Sequence, residues 1–150
     1  MATAQFMKVK TSGKWEKGLQ TSIFIRDFEK IIVDEPASLG GTDKGPNPVE
    51  LVLGGLSSCT SVMIALIAKE QQFSYEGVEF QNEGALDLRG LQGVEGISPH
   101  FQTVHYKVHI KTNESEEKIN ALKSEVEKRC PVFNLLVDAG VNVQGEWIKV

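Results

Sequence analysis

The chain has 150 residues, and 16 lysine and arginine residues against 20 aspartate and glutamate residues give a net charge of -4. This length predicts a single domain over residues 1–150. The mild charge, with no basic stripe and no acidic run, argues against a nucleic-acid partner and against disorder. The first residues lack the apolar segment of a signal peptide, which predicts a cytoplasmic protein.

Three strands are predicted before the first helix. Residues 5–11 alternate weakly between polar and apolar side chains and predict the first strand, whereas the polar residues 12–18 predict a turn. Residues 20–25 and 30–33 predict two further strands, which form a hairpin around Arg26 and Asp27. A loop dense in glycine, proline and aspartate then leads to the first helix.

A helix start signal opens a long apolar segment. Asn47 predicts an N-cap, Pro48 suits the first helical position, and Glu50 stands at the spacing of a capping box. The eighteen residues from 51 to 68 carry no charge, which also meets the threshold for a membrane span. Because the segment has no flanking aromatic belt and no lysine or arginine bias, we expect a buried core helix and no membrane insertion.

The second half of the chain predicts two strands, two helices and a final strand. The strands cover residues 78–88, with a bulge at Gly84, and residues 101–111, where two histidines (His105 and His109) share a face that suits solvent better than a metal. A helix begins near residue 113 or 115, Pro131 suits the start of a short helix through residue 138, and residues 141–150 predict the last strand. Because the strands are grouped rather than alternating with helices, the fold class is α+β.

The two cysteines are Cys59, within the apolar helix, and Cys130, directly before Pro131. In a reducing compartment a structural disulfide is not expected, so they are either core residues or redox groups. Free cysteine packs as a small hydrophobe, which favours the core. An N-cap position of Cys130 would favour its thiolate and make it the more acidic thiol. Without a Cys-x-x-Cys motif, a zinc site is not expected.

Segments around both cysteines resemble the OsmC/Ohr family of thiol-dependent hydroperoxide reductases. They are GGTDKGPNPVELVLGGLSSCTSV and, about seventy residues later, KRCPVFNLL. The preceding segment IRDFEKIIVDEPASLGG is similar to the OsmC-like branch of that family. The resemblance implies an OsmC-like fold, in which two antiparallel sheets flank central helices of an intertwined homodimer with active sites at the dimer interface.

The resemblance also implies an enzyme, a peroxidase that reduces organic hydroperoxides in defence against oxidative stress. Cys59 would attack the peroxide O–O bond and become a sulfenic acid, and Cys130 would then close a disulfide with it. A dithiol or lipoyl-type reductant would reduce this disulfide from outside, so no bound cofactor is expected. An apolar pocket would favour organic hydroperoxides over hydrogen peroxide.

The activating network of the family differs in this chain. The hydroperoxide reductases carry a glutamate directly after Asn-Pro, which holds a catalytic arginine against the thiolate. Here Val49 stands at that position and the carboxylate follows at Glu50, rotated by about 100° around the helix. Glu50 and Arg26, which lies in the corresponding segment, are the candidates for the catalytic pair. The shift predicts that Glu50 acts instead as a helix cap.

Two other classes of function remain open on the sequence. One is a protein that binds a small apolar molecule in a pocket at the dimer interface, with incidental thiols. The other is a structural dimer in which both cysteines are buried and inert. A thiolate that reacts fast at neutral pH would favour redox chemistry over both.

Overall fold

The computed structural model describes residues 2–150. The chain forms two compact units, Met1–Val52 and Leu53–Val150. The first unit holds three strands and the start of the long helix, and the second holds the rest of that helix, three strands and three more helices. The predicted α+β class and the two sheets are confirmed, and the single domain over residues 1–150 stays a prediction.

The sheet of the first unit is an antiparallel meander of β1 (Ser12–Lys17), β2 (Gln20–Phe24) and β3 (Ile31–Val33). β2 and β3 form the predicted hairpin. The first strand was predicted in the wrong place, because residues 5–11 form no strand and the presumed turn pairs with β2. Gly18 explains this difference, since its positive φ of 52° lets the chain reverse directly after β1.

The loop after β3 is held by the carboxylate of Asp34, whose side chain is buried. It accepts hydrogen bonds from the amides of Glu35, Thr42 and Lys44 at 2.8, 3.2 and 3.2 Å, and from the Thr42 hydroxyl at 2.5 Å. These bonds, that of the Thr42 hydroxyl above all, lower the pKa of Asp34. The loop therefore leads into the long helix in a defined conformation.

The long helix α1 (Pro48–Gln71) begins with the predicted capping box. The Glu50 amide donates to Asn47 Oδ1 and the Asn47 amide donates to Glu50 Oε2, each at 2.8 Å. One face of α1 is buried, formed by Leu56, Thr60, Met63, Ile64, Ile67 and Ala68. Val62 and Leu66 on another face are 57% and 52% exposed. Although its length and hydropathy would also suit a membrane span, α1 is a core helix whose outer face is open.

The second unit adds a second three-stranded sheet and three helices. Its elements are β4 (Gly77–Leu86), α2 (Leu88–Leu91), β5 (Phe101–Lys111), α3 (Glu116–Arg129), α4 (Pro131–Asp138) and β6 (Asn142–Lys149). β5 lies in the middle, antiparallel to β4 and parallel to β6. This sheet is therefore mixed, in contrast to the antiparallel one expected. Two helices separate β5 from β6, and such a crossover lets β6 enter in the same direction as β5. The short helix α2 was not predicted.

The core of the second unit lies on the inner face of β5. That face is buried and consists of Val104, Tyr106, Val108 and Ile110. The predicted stripe of α3 is buried too, through Ile119, Leu122 and Val126, and Ser115 caps the helix by accepting from the Lys118 amide at 3.2 Å. No cluster of metal-ligating side chains is found within residues 2–150, the histidine face of β5 included.

Gly84 serves close packing rather than the predicted bulge. The register of β4 and β5 shifts between Ala85 and Leu86, whereas Gly84 pairs regularly with Val104. The ring of Phe101 covers the α carbon of Gly84, so that a Cβ atom there would lie 2.7 Å from Phe101 Cδ1. The bulge prediction was wrong because it took the glycine as a sign of irregular pairing.

We expect Gly84→Ala to lower the free energy of unfolding by about 1–3 kcal/mol, the usual cost of forcing extra volume into a packed core. Gly77→Ala in the same strand is the matched control, since no atom lies within 4 Å of the position its Cβ would take. Urea unfolding of both variants measures the difference. Equal stability of the two variants would contradict the packing role of Gly84.

Candidate active site

The structure brings the two cysteines together in the second unit. Cys59 lies in the middle of α1 and is half-buried, whereas Cys130 lies between α3 and α4 and is 1% exposed. Both are free thiols, and the Cys59 side chain lies near enough to Cys130 to raise the pKa of the Cys130 thiol. A pair of thiols in contact is the arrangement that disulfide formation requires.

Polar contacts fix α1 on both sides of Cys59. On one side, Asn82 of β4 donates to the Ser57 hydroxyl at 2.6 Å and to a backbone carbonyl one turn earlier at 2.8 Å. On the other side, the Arg129 guanidinium binds both oxygens of the Glu70 carboxylate at 2.7 and 3.1 Å. These bonds tie α1 to β4 and to the end of α3, so the position of Cys59 is set from two elements.

Cys130 is positioned by the junction of two helices. Its backbone, with φ -72° and ψ 116°, leaves α3 and serves as the predicted N-cap of α4, which begins at Pro131. The Asn134 side chain donates to the carbonyl oxygens of Cys130 and Glu127 at 2.8 and 2.9 Å. The end of α3 is therefore closed by a side chain of α4, and the thiol is held in the interior.

Burial raises the pKa of Cys130 to about 11. The amides of Phe133 and Val132 at the start of α4 lower it, as the cap position predicts, but the contact with Cys59 raises it further. The expectation that Cys130 is a favoured thiolate was therefore wrong, because desolvation of the charged form outweighs the helix terminus. At neutral pH Cys130 is a protonated thiol.

A buried tyrosine and a half-buried glutamate form a polar pair at the end of α3. The Tyr106 hydroxyl donates to the Glu127 carboxylate and accepts from Trp147 Nε1 at 3.5 Å, and the Phe133 ring packs edge-on against the Tyr106 ring at 6.0 Å. Burial, with the Glu127 hydrogen bond, raises the pKa of Tyr106. The sequence analysis missed this pair, although Glu127 lies three residues before Cys130 and Tyr106 lies on the inward face of β5, where a hydroxyl needs a partner.

The predicted residues Arg26 and Glu50 both belong to the first unit. Glu50 acts as the helix cap described above. Arg26 lies in the turn between β2 and β3 with a positive φ of 49°, and its guanidinium carbon lies 4.6 Å from the centre of the Phe28 ring. No ion pair of Arg26 is found in the described part of the chain. The contacts found for both side chains thus lie within the first unit.

Neither of two cavities large enough for a small molecule is lined by Cys59. A cavity of about 550 Å³ lies at the edge of β4 and β5, lined among others by Val78 and His109. In the first unit, a cavity of about 530 Å³ is lined among others by Met7 and Arg26. Cys59 lines neither of them, so these cavities do not supply the expected apolar pocket.

Comparison with known proteins gives a family and a fold. The family model of OsmC-like proteins matches residues 41–146, whereas no curated protein matches the sequence. An OsmC-like protein from Mycoplasma pneumoniae is 20% identical, with 96% of this chain and 99% of that chain covered and a TM-score of 0.81. The organic hydroperoxide resistance protein OsmC from Legionella pneumophila is 22% identical, with 97% and 99% covered and a TM-score of 0.76. The organic hydroperoxide resistance protein from Elizabethkingia anophelis is 16% identical, with 99% and 100% covered and a TM-score of 0.79.

We expect Cys130 to titrate far above neutral pH. In a Cys59→Ser variant, where Cys130 is the one remaining thiol, thiolate absorbance should be absent at pH 8 and appear only on approach to pH 11. Burial, the first cause of the raised pKa, is kept in this variant. Circular dichroism recorded alongside separates titration in the fold from alkaline unfolding. A midpoint near the ordinary pKa of cysteine, about 8.5, would contradict the assignment.

Proposed function

The chain belongs to the OsmC-like family, and on this premise we propose that it reduces organic hydroperoxides through a two-cysteine cycle. The observation that carries the proposal is the proximity of Cys59 to Cys130, which is close enough to act on the pKa of the Cys130 thiol. A peroxidatic thiol and a resolving thiol must meet in this way to form a disulfide. Proteins of the same fold from Legionella pneumophila and Elizabethkingia anophelis are named organic hydroperoxide resistance proteins, which supports the choice of substrate.

The proposed cycle has three steps. The Cys59 thiolate attacks the O–O bond, takes one oxygen as a sulfenic acid and releases the alkoxide, which is protonated to the alcohol. The Cys130 sulfur then attacks the Cys59 sulfur, so that an S–S bond forms, the S–O bond breaks and water leaves. A dithiol or lipoyl-type reductant from outside reduces the disulfide and returns both thiols. The cycle needs no bound cofactor.

The greater exposure of Cys59 and the protonated state of Cys130 support Cys59 as the first nucleophile. Cys59 is half-buried and open to a peroxide, whereas Cys130 is 1% exposed and its pKa is raised to about 11. The thiolate is the attacking species in thiol chemistry. A buried, protonated Cys130 therefore suits the resolving step, in which the sulfenic acid is presented directly to it.

A second function is favoured by one observation. The Glu50 carboxylate accepts a hydrogen bond from the Asn47 amide and so serves the cap, and Val49 stands where the family's hydroperoxide reductases have their glutamate. Without a glutamate at that position, the chain lacks the carboxylate that holds the activating arginine in those enzymes. The alternative is a dimer that binds a small apolar molecule or serves a structural role, with inert cysteines.

We propose that the protein acts as a homodimer. Among residues 2–52 Val33 is the one buried hydrophobic residue, and many large apolar side chains there are exposed: Phe6, Met7, Val9, Trp15, Leu19, Phe24, Phe28, Ile31 and Leu39. A three-stranded sheet with so small a core needs another surface to be stable. In the second unit, Val62 and Leu66 on the open face of α1 are exposed too, and a partner chain bound there would also cover Cys59.

The proposed location is the cytoplasm. A reducing compartment keeps both thiols free, as they are in the structure. It also supplies the dithiols on which the third step depends.

Replacement of each cysteine by serine tests the enzyme. We expect Cys59→Ser to abolish consumption of an organic hydroperoxide, because the attacking sulfur is gone. Cys130→Ser should leave one turnover and a sulfenic acid trapped on Cys59, which mass spectrometry detects after labelling with a sulfenic acid reagent. Loss of the first turnover in Cys130→Ser would reverse the assignment. Unchanged consumption in both variants would leave the binding or structural alternative.

Sedimentation tests the dimer. At micromolar concentration we expect a species of twice the chain mass of 16.5 kDa, and Leu66→Glu should shift it towards the monomer because a charge would be buried against the partner. Gln81→Glu, on the exposed outer face of β4, is the control that adds the same charge away from α1. A monomeric wild-type protein would contradict the proposal.

A further inference from the structure

The side chain of Asn134 reaches back from α4 to the end of α3. Its amide nitrogen donates to the carbonyl oxygens of Glu127, Lys128 and Cys130 at 2.9, 3.3 and 2.8 Å. The Cys130 carbonyl also accepts from the Asn134 backbone amide at 3.0 Å, within the first turn of α4. One residue of α4 therefore holds the last turn of α3 and the break between the two helices.

Asn134 supplies the donor that Pro131 lacks. In a continuous helix the amide of residue 131 would donate to the carbonyl four residues earlier, which is that of Glu127. Proline has no amide hydrogen, and the last carbonyls of a helix have no partner within it. The Asn134 side chain donates to this same Glu127 carbonyl and to the next one, so it closes the end of α3 in place of the missing amide.

The other residues of α4 give no reason for a polar side chain at this position. Residues 131–137 are apolar except for Asn134. Asparagine also favours a helix less than alanine or leucine does. The bonds to the end of α3 therefore explain the presence of an asparagine here.

Cys130 is fixed at both ends of its backbone. Its amide donates to the Val126 carbonyl at 2.9 Å, and its carbonyl accepts from the Asn134 side chain. In this conformation, with φ -72° and ψ 116°, Cys130 is 1% exposed. α4 itself contributes one buried residue to the core, Leu136, so the packing of that short helix alone holds the junction weakly.

We propose that Asn134 is a positioning residue that keeps the Cys130 thiol inside the core, where it reacts with Cys59 and is closed to peroxides and thiols from solvent. The inference rests on the proposed two-cysteine cycle and concerns its second step. In that step Cys130 loses its proton and its sulfur bonds to the Cys59 sulfur, while the S–O bond of Cys59 breaks. The leaving hydroxide takes up the proton and departs as water. Cys130 sulfur is oxidised and Cys59 sulfur is reduced.

Confinement of Cys130 decides which thiol meets a peroxide first. With a pKa of about 11, roughly one Cys130 thiol in ten thousand is ionised at neutral pH. A cysteine open to water has a pKa of about 8.5, which raises the ionised fraction by about 300-fold. Released from the core, Cys130 would compete with Cys59 for the peroxide, because the thiolate is the nucleophile.

The test uses the Cys59→Ser protein, in which Cys130 is the one remaining thiol. We expect Asn134→Ala in this background to lower the titration midpoint of Cys130, read from thiolate absorbance, by about one pH unit or more, because water then reaches the charged form. Alkylation of Cys130 by iodoacetamide at pH 7 should become about tenfold faster or more, since one unit of pKa is a factor of ten in thiolate. Burial raises the pKa of Tyr106 on β5, so this neighbour stays neutral throughout.

Asn120→Ala is the matched control. It makes the same substitution at an exposed residue of α3, so the midpoint and the alkylation rate should stay as in the Cys59→Ser protein. Urea unfolding of each variant measures the change in stability separately, since a residue that only adds stability leaves the midpoint of the folded protein unchanged. Should Asn134→Ala prove unfolded by circular dichroism, Asn134→Asp decides by the same measurements, because it keeps the shape and lacks the two N–H donors.

Failure of the inference and failure of the proposed function give different results. If the Cys59→Ser proteins with and without Asn134 titrate at the same midpoint, Asn134 does not hold Cys130 in the core, whatever the alkylation rate. A wild type that forms neither sulfenic acid nor disulfide with an organic hydroperoxide would overturn the two-cysteine cycle, and the two midpoints would still decide the role of Asn134. A lowered midpoint together with a wild type that forms the disulfide supports both.

Discussion

The junction of Cys130 and Pro131 is the constraint on which the second unit depends. Proline has no amide hydrogen and cannot continue the ladder of α3, so the helix ends at Arg129 and a new one begins at Pro131. This break turns the Cys130 side chain into the core, against α1, and carries the chain through α4 back to the sheet. There β6 joins β5 in parallel. The break at Pro131 thus sets where the thiol stands and where the chain turns back towards the sheet.

The two thiols differ because their surroundings differ, although both lie on helices that pack in one core. The terminus of α4 stabilises an anion at Cys130, but a helix dipole contributes only about 0.3–1 kcal/mol at such a position. Full burial disfavours the charged form by more, and the pKa of Cys130 rises to about 11. The argument from the helix cap alone therefore predicted a lowered pKa for Cys130, whereas its pKa is raised. The half-buried position of Cys59 in the middle of α1 leaves it the accessible member of the pair.

Signals that act over three or four residues predicted the structure well. The capping box of Asn47 and Glu50, the cap at Ser115 and the break at Pro131 follow from the chemistry of neighbouring residues alone. Features that depend on a distant partner were missed or misplaced. The polar strand β1 is defined by its pairing with β2, and the parallel direction of β6 is defined by the path of two helices. At the candidate site, the residue types of Tyr106 and Glu127 gave no sign that their side chains meet, because 20 residues separate them in sequence and only the packing of α3 on the sheet joins them.

The burial of Cys130 also bears on how long an enzyme molecule would survive under the proposed cycle. A sulfenic acid that waits for its partner is exposed to a second peroxide, which oxidises it to a sulfinic acid that the resolving thiol does not reverse. Because Cys130 is protonated, the lifetime of the sulfenic acid would depend on how fast Cys130 loses its proton. In the proposed cycle, a low peroxide concentration would let the disulfide form first and the molecule be recycled, whereas a large dose would inactivate it permanently. The rate of disulfide formation, divided by the rate of oxidation to the sulfinic acid, would set the number of turnovers that one molecule completes before it is inactivated. It would also set the amount of peroxide above which the protein is consumed rather than recycled.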